Sequence, residues 1–193
     1  MSKEIEIRCK LFNEKNVMDF FKKVNIASKL KHQIDTYYDN PKDSFFKNPD
    51  HVNVWIRIRE EDGKFMFTYK HWLPEGSEIR TYCEEKEYLI NSKEEASNYL
   101  KKLGFSTNFV PFIVTDKIRR CFFYKDCEIS IDKVKNLGNY IEIEYKGNDK
   151  DINNIRKLLH SLLVEIGAKI GPIDYKGYAY HLFKLGKFNK EHT

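Results

Sequence analysis

Three stretches of this chain set glutamates two residues apart: Glu4-Ile5-Glu6, Glu85-Lys86-Glu87 and Glu142-Ile143-Glu144. A period of two belongs to a β-strand, whose successive side chains point to opposite faces. The fullest stretch is Asn139-Tyr140-Ile141-Glu142-Ile143-Glu144-Tyr145, where carboxylates alternate with large apolar or aromatic residues. Charged faces on several strands leave two kinds of fold. Either these faces are solvated and salt-bridged across an ordinary antiparallel sheet, or helices cover the apolar faces and the charged faces look into a shared interior.

The same alternation recurs along the chain. Residues 3–12 set Glu4, Glu6, Arg8 and Lys10 against Ile5, Ile7, Cys9 and Leu11. Strands are expected at 32–39, at 52–59 with Arg57 and Arg59 on one face, and at 65–70, which carries Lys70. Asp62-Gly63 is a hairpin signal between the last two. Further strands are expected at 80–90 with Glu85 and Glu87, at 109–124 with Lys117 and Arg119, at 127–134 with Glu128 and Asp132, and at 139–145.

Three amphipathic helices are expected. Residues 14–24 carry Val17, Phe20, Phe21 and Val24 at helical spacing. Residues 92–103 begin with Ser92 and Glu95 as a capping box and stop at Gly104. Residues 149–167 carry the strongest apolar stripe, with His160 pointing away from it as a surface residue. The aromatic tail, through Tyr175, Tyr178 and Tyr180, is expected to pack over one end of a barrel. The order of elements argues for one α+β domain over residues 1–193, built around a closed or nearly closed antiparallel sheet.

Charged residues make up 33% of the 193 residues, yet the net charge is only +5. Such balance argues against a nucleic-acid partner. No apolar run reaches the ~20 residues that span a bilayer, and the N-terminus lacks the apolar segment of a signal peptide. The expectation is a cytoplasmic protein with no membrane partner. Cys9, Cys83, Cys121 and Cys127 show no Cys-x-x-Cys spacing and read as reduced thiols.

The strand faces collect acids (Glu4, Glu6, Glu85, Glu87, Glu128, Asp132, Glu142, Glu144) and bases (Arg8, Lys10, Arg57, Arg59, Lys70, Lys117, Arg119). Burying so many charges is costly unless they pair or hold ligands. A polyanion with divalent cations meets that need. Arginine and lysine clamp phosphate oxygens, and carboxylates hold Mg²⁺ or Mn²⁺, hard ions that favour oxygen.

These residues resemble the CYTH superfamily, the triphosphate tunnel metalloenzymes. Glu4-x-Glu6-x-Arg8 is similar to the family's Glu-x-Glu-x-Lys signature. Gln33-x-Asp35-x-Tyr37-Tyr38-Asp39, Ile56-Arg57-Ile58-Arg59, Thr68-Tyr69-Lys70 and Lys117-x-Arg119 follow in family order. The most specific segment is Ile131-Asp132-x-Val134-x-x-Leu137-Gly138-x-Tyr140-x-Glu142-Ile143-Glu144. The resemblance implies an eight-stranded antiparallel β-barrel, a tunnel with a charged interior and helices packed outside. It implies Mg²⁺ or Mn²⁺ held by Glu4, Glu6, Glu142 and Glu144, with Asp132, Glu85 and Glu87 as further acidic wall. Lys10, Arg57, Arg59, Lys70, Lys117 and Arg119 become the phosphate cradle, and Arg8 and Lys70 the candidate catalytic cations. Arg8 departs from the family's lysine.

By this resemblance the partner is a triphosphate-bearing small molecule: ATP, tripolyphosphate or thiamine triphosphate. The reaction implied is that of a class IV adenylyl cyclase, from ATP to cyclic AMP and pyrophosphate. The alternatives are an inorganic or organic triphosphatase and a non-catalytic polyphosphate- or nucleotide-binding module. Ile7, the apolar residue before the Arg8 cation, inclines slightly to the cyclase branch. Relatives of this kind are often dimers, so a homodimer stays open.

Overall fold

In the computed structural model, residues 2–40, 44, 46, 48–75, 81–92, 95–102, 109–148 and 150–189 are described. Among the described residues ten strands form one antiparallel sheet: β1 (Ser2–Glu4), β2 (Glu6–Leu11), β3 (Lys29–Asp39), β4 (Val54–Glu61), β5 (Lys64–Leu73), β6 (Tyr82–Ile90), β7 (Val110–Tyr124), β8 (Cys127–Val134), β9 (Gly138–Tyr145) and β10 (Ile170–Ile173). The α-helices among these residues are α1 (Glu14–Lys23), α2 (Glu95–Lys102), α3 (Ile152–Glu165) and α4 (Tyr178–Lys184).

The strand order is β1-β6-β5-β4-β3-β7-β8-β9-β2-β10. Ile5 alone separates β1 from β2. The first segment of chain therefore ladders with β6 at one end, where Glu4 pairs with Cys83, and with β9 at the other, where Glu6 pairs with Glu144. Covalent continuity at Ile5 brings the sheet round on itself into a tunnel. The eight expected strands are all there, the first broken into β1 and β2. β10, which pairs with β2, was not expected: four residues containing Gly171-Pro172 carry no strand pattern of their own.

The hairpin turns obey their chemistry. Asp62 and Gly63 both have positive φ (52° and 71°), as the two-residue turn that matches strand twist requires. Residues 125–126 repeat this between β7 and β8, with φ 49° and 57°.

The apolar faces point outward. Ile7, Cys9, Ile129, Ile131, Ile141 and Ile143 pack beneath Val17 and Phe21 of α1 and Ile155, Leu159, Leu162 and Leu163 of α3. α3 starts at Asp151, whose carboxylate accepts from the backbone N–H of Asn153 and Asn154 at 2.9 and 3.1 Å, satisfying two free donors of the first turn. His160 is exposed. α2 lays Ala96 over Ile56, Ile58 and Phe67; its expected stop at Gly104 lies outside the described residues. α4 packs Ala179 and Leu182 on Phe112 and Ile113 of β7, so the aromatic tail does sit over one end. Among the described residues no helix is long and apolar enough to cross a membrane.

Candidate active site

With the apolar faces turned out, the other side of each strand must face inward, and a cavity of about 290 Å³ lies there. It gathers Glu4, Glu6 and Arg8 from the first strands, Arg57 and Arg59 from β4, Lys70 from β5, Glu85 and Glu87 from β6, Lys117 and Arg119 from β7, and Glu142 and Glu144 from β9. Cations and carboxylates thus converge from six directions onto one space. Glu128, the acid nearest a turn, lines it as well.

Two members of the expected set are placed elsewhere. Lys10 is exposed and lies outside the cavity. It keeps the inward-facing parity of β2, but it pairs with Tyr140 near the far rim, beyond the charged interior. Asp132 is fully buried behind the wall. Both its oxygens are taken by Arg119, at 2.7 and 2.6 Å, and one also accepts from Tyr178 Oη at 2.8 Å. It therefore serves Arg119 instead of presenting free oxygen to a metal.

The cations are held by a defined set of partners. Arg8 bridges Glu6 (2.5 Å) and Glu142 (2.8 Å). Lys70 lies 2.5 Å from Glu4 and 3.1 Å from Glu85. Arg119 reaches past Asp132 to Glu142 at 2.9 Å. Arg57 donates from Nη2 to Thr68 Oγ1 at 3.2 Å, and its carboxylate partners Asp35, Glu87 and Glu85 lie farther off, at 3.6, 3.7 and 3.9 Å. Its Nε is buried with no hydrogen-bond partner, a donor left for something else to meet.

The carboxylates divide electrostatically. Burial works to raise Glu4, but the Lys70 ammonium and the Cys83 thiol outweigh it and hold the carboxyl at about 2. Glu142 is likewise held well below its ordinary range, Arg119 and Arg8 prevailing over burial. Glu6 and Glu144 go the other way. Burial and the nearby Glu142 charge push Glu6 up to about 7 in spite of Arg8. Burial and the Glu4 charge push Glu144 up to about 8 in spite of its contact with Lys146. Glu6 and Glu144 thus stand opposite each other across β2 and β9, both buried and with their charged forms disfavoured.

A divalent cation would answer that arrangement, since its charge favours ionised oxygen ligands. Among the described residues no three acidic, His or Cys side chains already stand as a metal-holding group; their oxygens are drawn to Arg8, Lys70 and Lys146 instead. The donor chemistry, all carboxylate oxygen, fits Mg²⁺ or Mn²⁺.

Other cavity residues were not picked out by the charge pattern. Tyr37, Trp55 and Trp72 line the end where β3 finishes, β4 starts and β5 finishes. Tyr178 enters from α4, its ring 4.9 Å from the Arg8 guanidinium carbon and 5.3 Å from Lys117 Nζ. Lys31 and Lys146 join the cation set. Trp55 shares the parity of Arg57 and Arg59, so alternation alone would have found it. Tyr178 comes from a helix after the last long strand, and no periodic signal marks it.

A family model described as the CYTH domain matches residues 2–168. A protein of Methanocaldococcus jannaschii named "Putative adenylate cyclase" is 37% identical over 161 residues, covering 83% of this chain and 85% of that one. Among solved structures, protein PH1819 of Pyrococcus horikoshii has a TM-score of 0.70 at 23% identity, covering 94% of this chain and 99% of its own. A Hippeastrum protein described as "Putative adenylyl cyclase HpAC1", with "a dominant triphophatase activity", has a TM-score of 0.63 at 19% identity, covering 98% of both chains. These structural likenesses speak to the fold.

Proposed function

Because the chain belongs to the CYTH domain family, we propose that it binds a triphosphate inside the tunnel and carries out phosphoryl chemistry on it with a divalent metal. The observation that carries this reading is the interior itself: Arg57 and Arg59 of β4 and Lys117 and Arg119 of β7 line the same cavity as Glu6 and Glu144, two carboxyls pushed up by burial and by neighbouring carboxylates. A surface that bound anions alone would gain nothing from those buried carboxylates.

The parts divide as follows. Arg57, Arg59, Lys117 and Arg119 grip the phosphate oxygens and spread the charge that develops on them. Glu4, Glu6 and Glu144 would hold the metal, with Glu142 committed to Arg8 and Arg119. Bound there, a Mg²⁺ or Mn²⁺ ion would polarise phosphoryl oxygen. Arg8 and Lys70 keep the acidic wall together by pairing with its members.

The reaction proposed is the adenylyl cyclase one, ATP to cyclic AMP and pyrophosphate; the name of the Methanocaldococcus relative supports it. Ile7, whose apolar character inclines slightly to the cyclase branch, packs outward in the core. The triphosphatase reading has its own support. At about 290 Å³ the cavity lies at the bottom of the ~300–1,000 Å³ typical of small-molecule pockets, room for a triphosphate chain with little to spare for a nucleoside.

Incubating the protein with ATP, tripolyphosphate and thiamine triphosphate, each with Mg²⁺ or Mn²⁺, separates these. Cyclic AMP means cyclase, and released phosphate means triphosphatase. Glu6→Ala is expected to abolish metal-dependent turnover, and Arg57→Ala to weaken phosphate binding first. Turnover unchanged in both variants would sink the assignment.

A further inference from the structure

Three of the four cations of the phosphate cradle, Arg57, Arg59 and Lys117, share one counter-ion that does not line the cavity. Asp35 is 0% exposed and lies behind the wall. Its strand, β3, runs between β4 and β7, the two strands that carry Arg57, Arg59, Lys117 and Arg119. In register, Asp35 stands opposite Arg59 on one side and Thr115 on the other. From this position it meets three cations. Arg59 approaches edge-on, Nε at 2.6 Å from one oxygen and Nη2 at 2.9 Å from the other. Lys117 Nζ lies at 3.2 Å and Arg57 Nη1 at 3.6 Å.

These contacts are unequal in a way that matters. A two-point guanidinium–carboxylate pair fixes the plane of Arg59. Arg57 has one long contact to Asp35 and an unpartnered Nε. A buried carboxylate without partners would be costly, so Asp35 and its cations hold each other in place before any ligand arrives.

We propose that Asp35 is the positioning residue of the phosphate cradle: it holds Arg59 and Lys117 in place for a triphosphate and grips Arg57 only at longer range. This rests on the reading of the tunnel as a triphosphate site. Asp35 touches no substrate atom and acts through Lys117 and Arg59.

Lys117 makes the role measurable. Burial draws its pKa down to about 7, and Asp35 is the main charge acting against that fall. Facing Lys117 are Asp35 from β3, Arg59 from β4, Arg119 on its own strand, Asp132 from β8, Glu142 from β9 and the Tyr178 ring from α4. Without the Asp35 charge, burial and the two arginines would leave Lys117 neutral at a still lower pH, and a neutral amine grips phosphate weakly.

The test is calorimetric titration of tripolyphosphate, with EDTA present so that no metal contributes. Wild type, Asp35→Asn, Lys117→Met and the double variant are compared at pH 6 and pH 8. Asp35→Asn is expected to weaken binding about tenfold at pH 8, the scale of one charge-assisted contact, and less at pH 6. The pH-dependent part of the loss should vanish in the Lys117→Met background, as coupled residues require, while the part carried by Arg59 remains. Equal loss at both pH values, no loss, or tighter binding through removal of a competing anion would each overturn the proposal. Should Asp35→Asn fail to fold, Lys117→Met alone must flatten the pH profile of tripolyphosphate affinity, and a wild-type profile in that variant overturns the idea. Failure of the wild type to bind tripolyphosphate would instead refute the tunnel reading on which it stands.

Discussion

At the scale of single residues, Arg8 shows how this chain departs from the family signature and what accommodates the change. Its guanidinium bridges Glu6 and Glu142, which a single ammonium at the same distance would serve less well. It also lies over the Tyr178 ring at 4.9 Å and close to the backbone at Gly177. A Cβ there would come within 3.2 Å of Arg8 Nη1, and Gly177 has φ +87°. Gly177→Ala is therefore expected to lower stability by about 1–3 kcal/mol through backbone strain, with part of the loss recovered by Arg8→Lys in the same chain. Thermal melts of the two single variants and the double variant would show it, and additive losses would exclude the contact. Tyr178→Phe should cost about 1 kcal/mol, the bond from Tyr178 Oη to Asp132, read from denaturant midpoints. Pairings like these were hidden in the sequence. Arg8 and Glu142 are 134 residues apart, and alternation says that both face inward without saying that they meet. Asp35 was hidden for the same reason, because its importance appears only when β3 is known to lie between β4 and β7.

At the scale of elements, the strands with a strict alternation were legible and those without it were not. β9 is the clearest case: Ile141 and Ile143 are 1% and 0% exposed on the outer face, while Glu142 and Glu144 line the cavity. A one-residue slip would exchange these faces, so the register against β2 and β8 is strongly specified. Ile143→Ala removes buried volume beneath α3 and should cost about 2–5 kcal/mol, measured as a shift in denaturant midpoint at constant slope. Asp151→Ala, which removes the α3 cap, should cost about 0.5–2 kcal/mol. Alternation has a limit that Lys10 exposes. It reports the face of the sheet a side chain takes, but not how far along the tunnel it lies. Lys10 has the right face and the wrong depth. β10 shows the complementary gap, a strand formed because β2 offers an edge, with nothing in Ile170–Ile173 to announce it.

At the scale of the whole molecule, the fold buries two carboxyls and a lysine whose charged forms are disfavoured, and this should be visible as an unusual pH dependence of stability. For Glu6 and Glu144 the folded pKa is raised, from 4.5 to about 7 and about 8. Between pH 4.5 and those values the folded chain keeps protons that the unfolded chain has released. Stability therefore falls as pH rises through that window. For Lys117 the folded pKa is lowered, from 10.5 to about 7. Between pH 7 and 10.5 the unfolded chain keeps a proton that the folded chain has lost, so stability rises with pH there. Asp35 and Glu142, both held well below their ordinary values, contribute stability that is present above about pH 4.5 and lost as pH falls further. The ligand-free chain should accordingly lose stability between about pH 5 and pH 8, and the Lys117 contribution above pH 7 is opposed from about pH 9 by the buried thiols of Cys9, Cys83, Cys121 and Cys127, all of which burial pushes up. Divalent cation and triphosphate bring charges of each sign. Mg²⁺ or Mn²⁺ should favour ionised Glu6 and Glu144, and a triphosphate should favour protonated Lys117. Together they should offset that loss, adding about 2.7 kcal/mol at a hundredfold excess over Kd, with the metal far less effective at pH 5, where Glu6 and Glu144 hold protons. Melting curves from pH 4 to 8, with and without metal and tripolyphosphate, would map this. No fall in stability between pH 5 and pH 8 without ligand, or a metal effect as large at pH 5 as at pH 8, would mean that the charged interior is satisfied by its own ion pairs and that no cation is needed there.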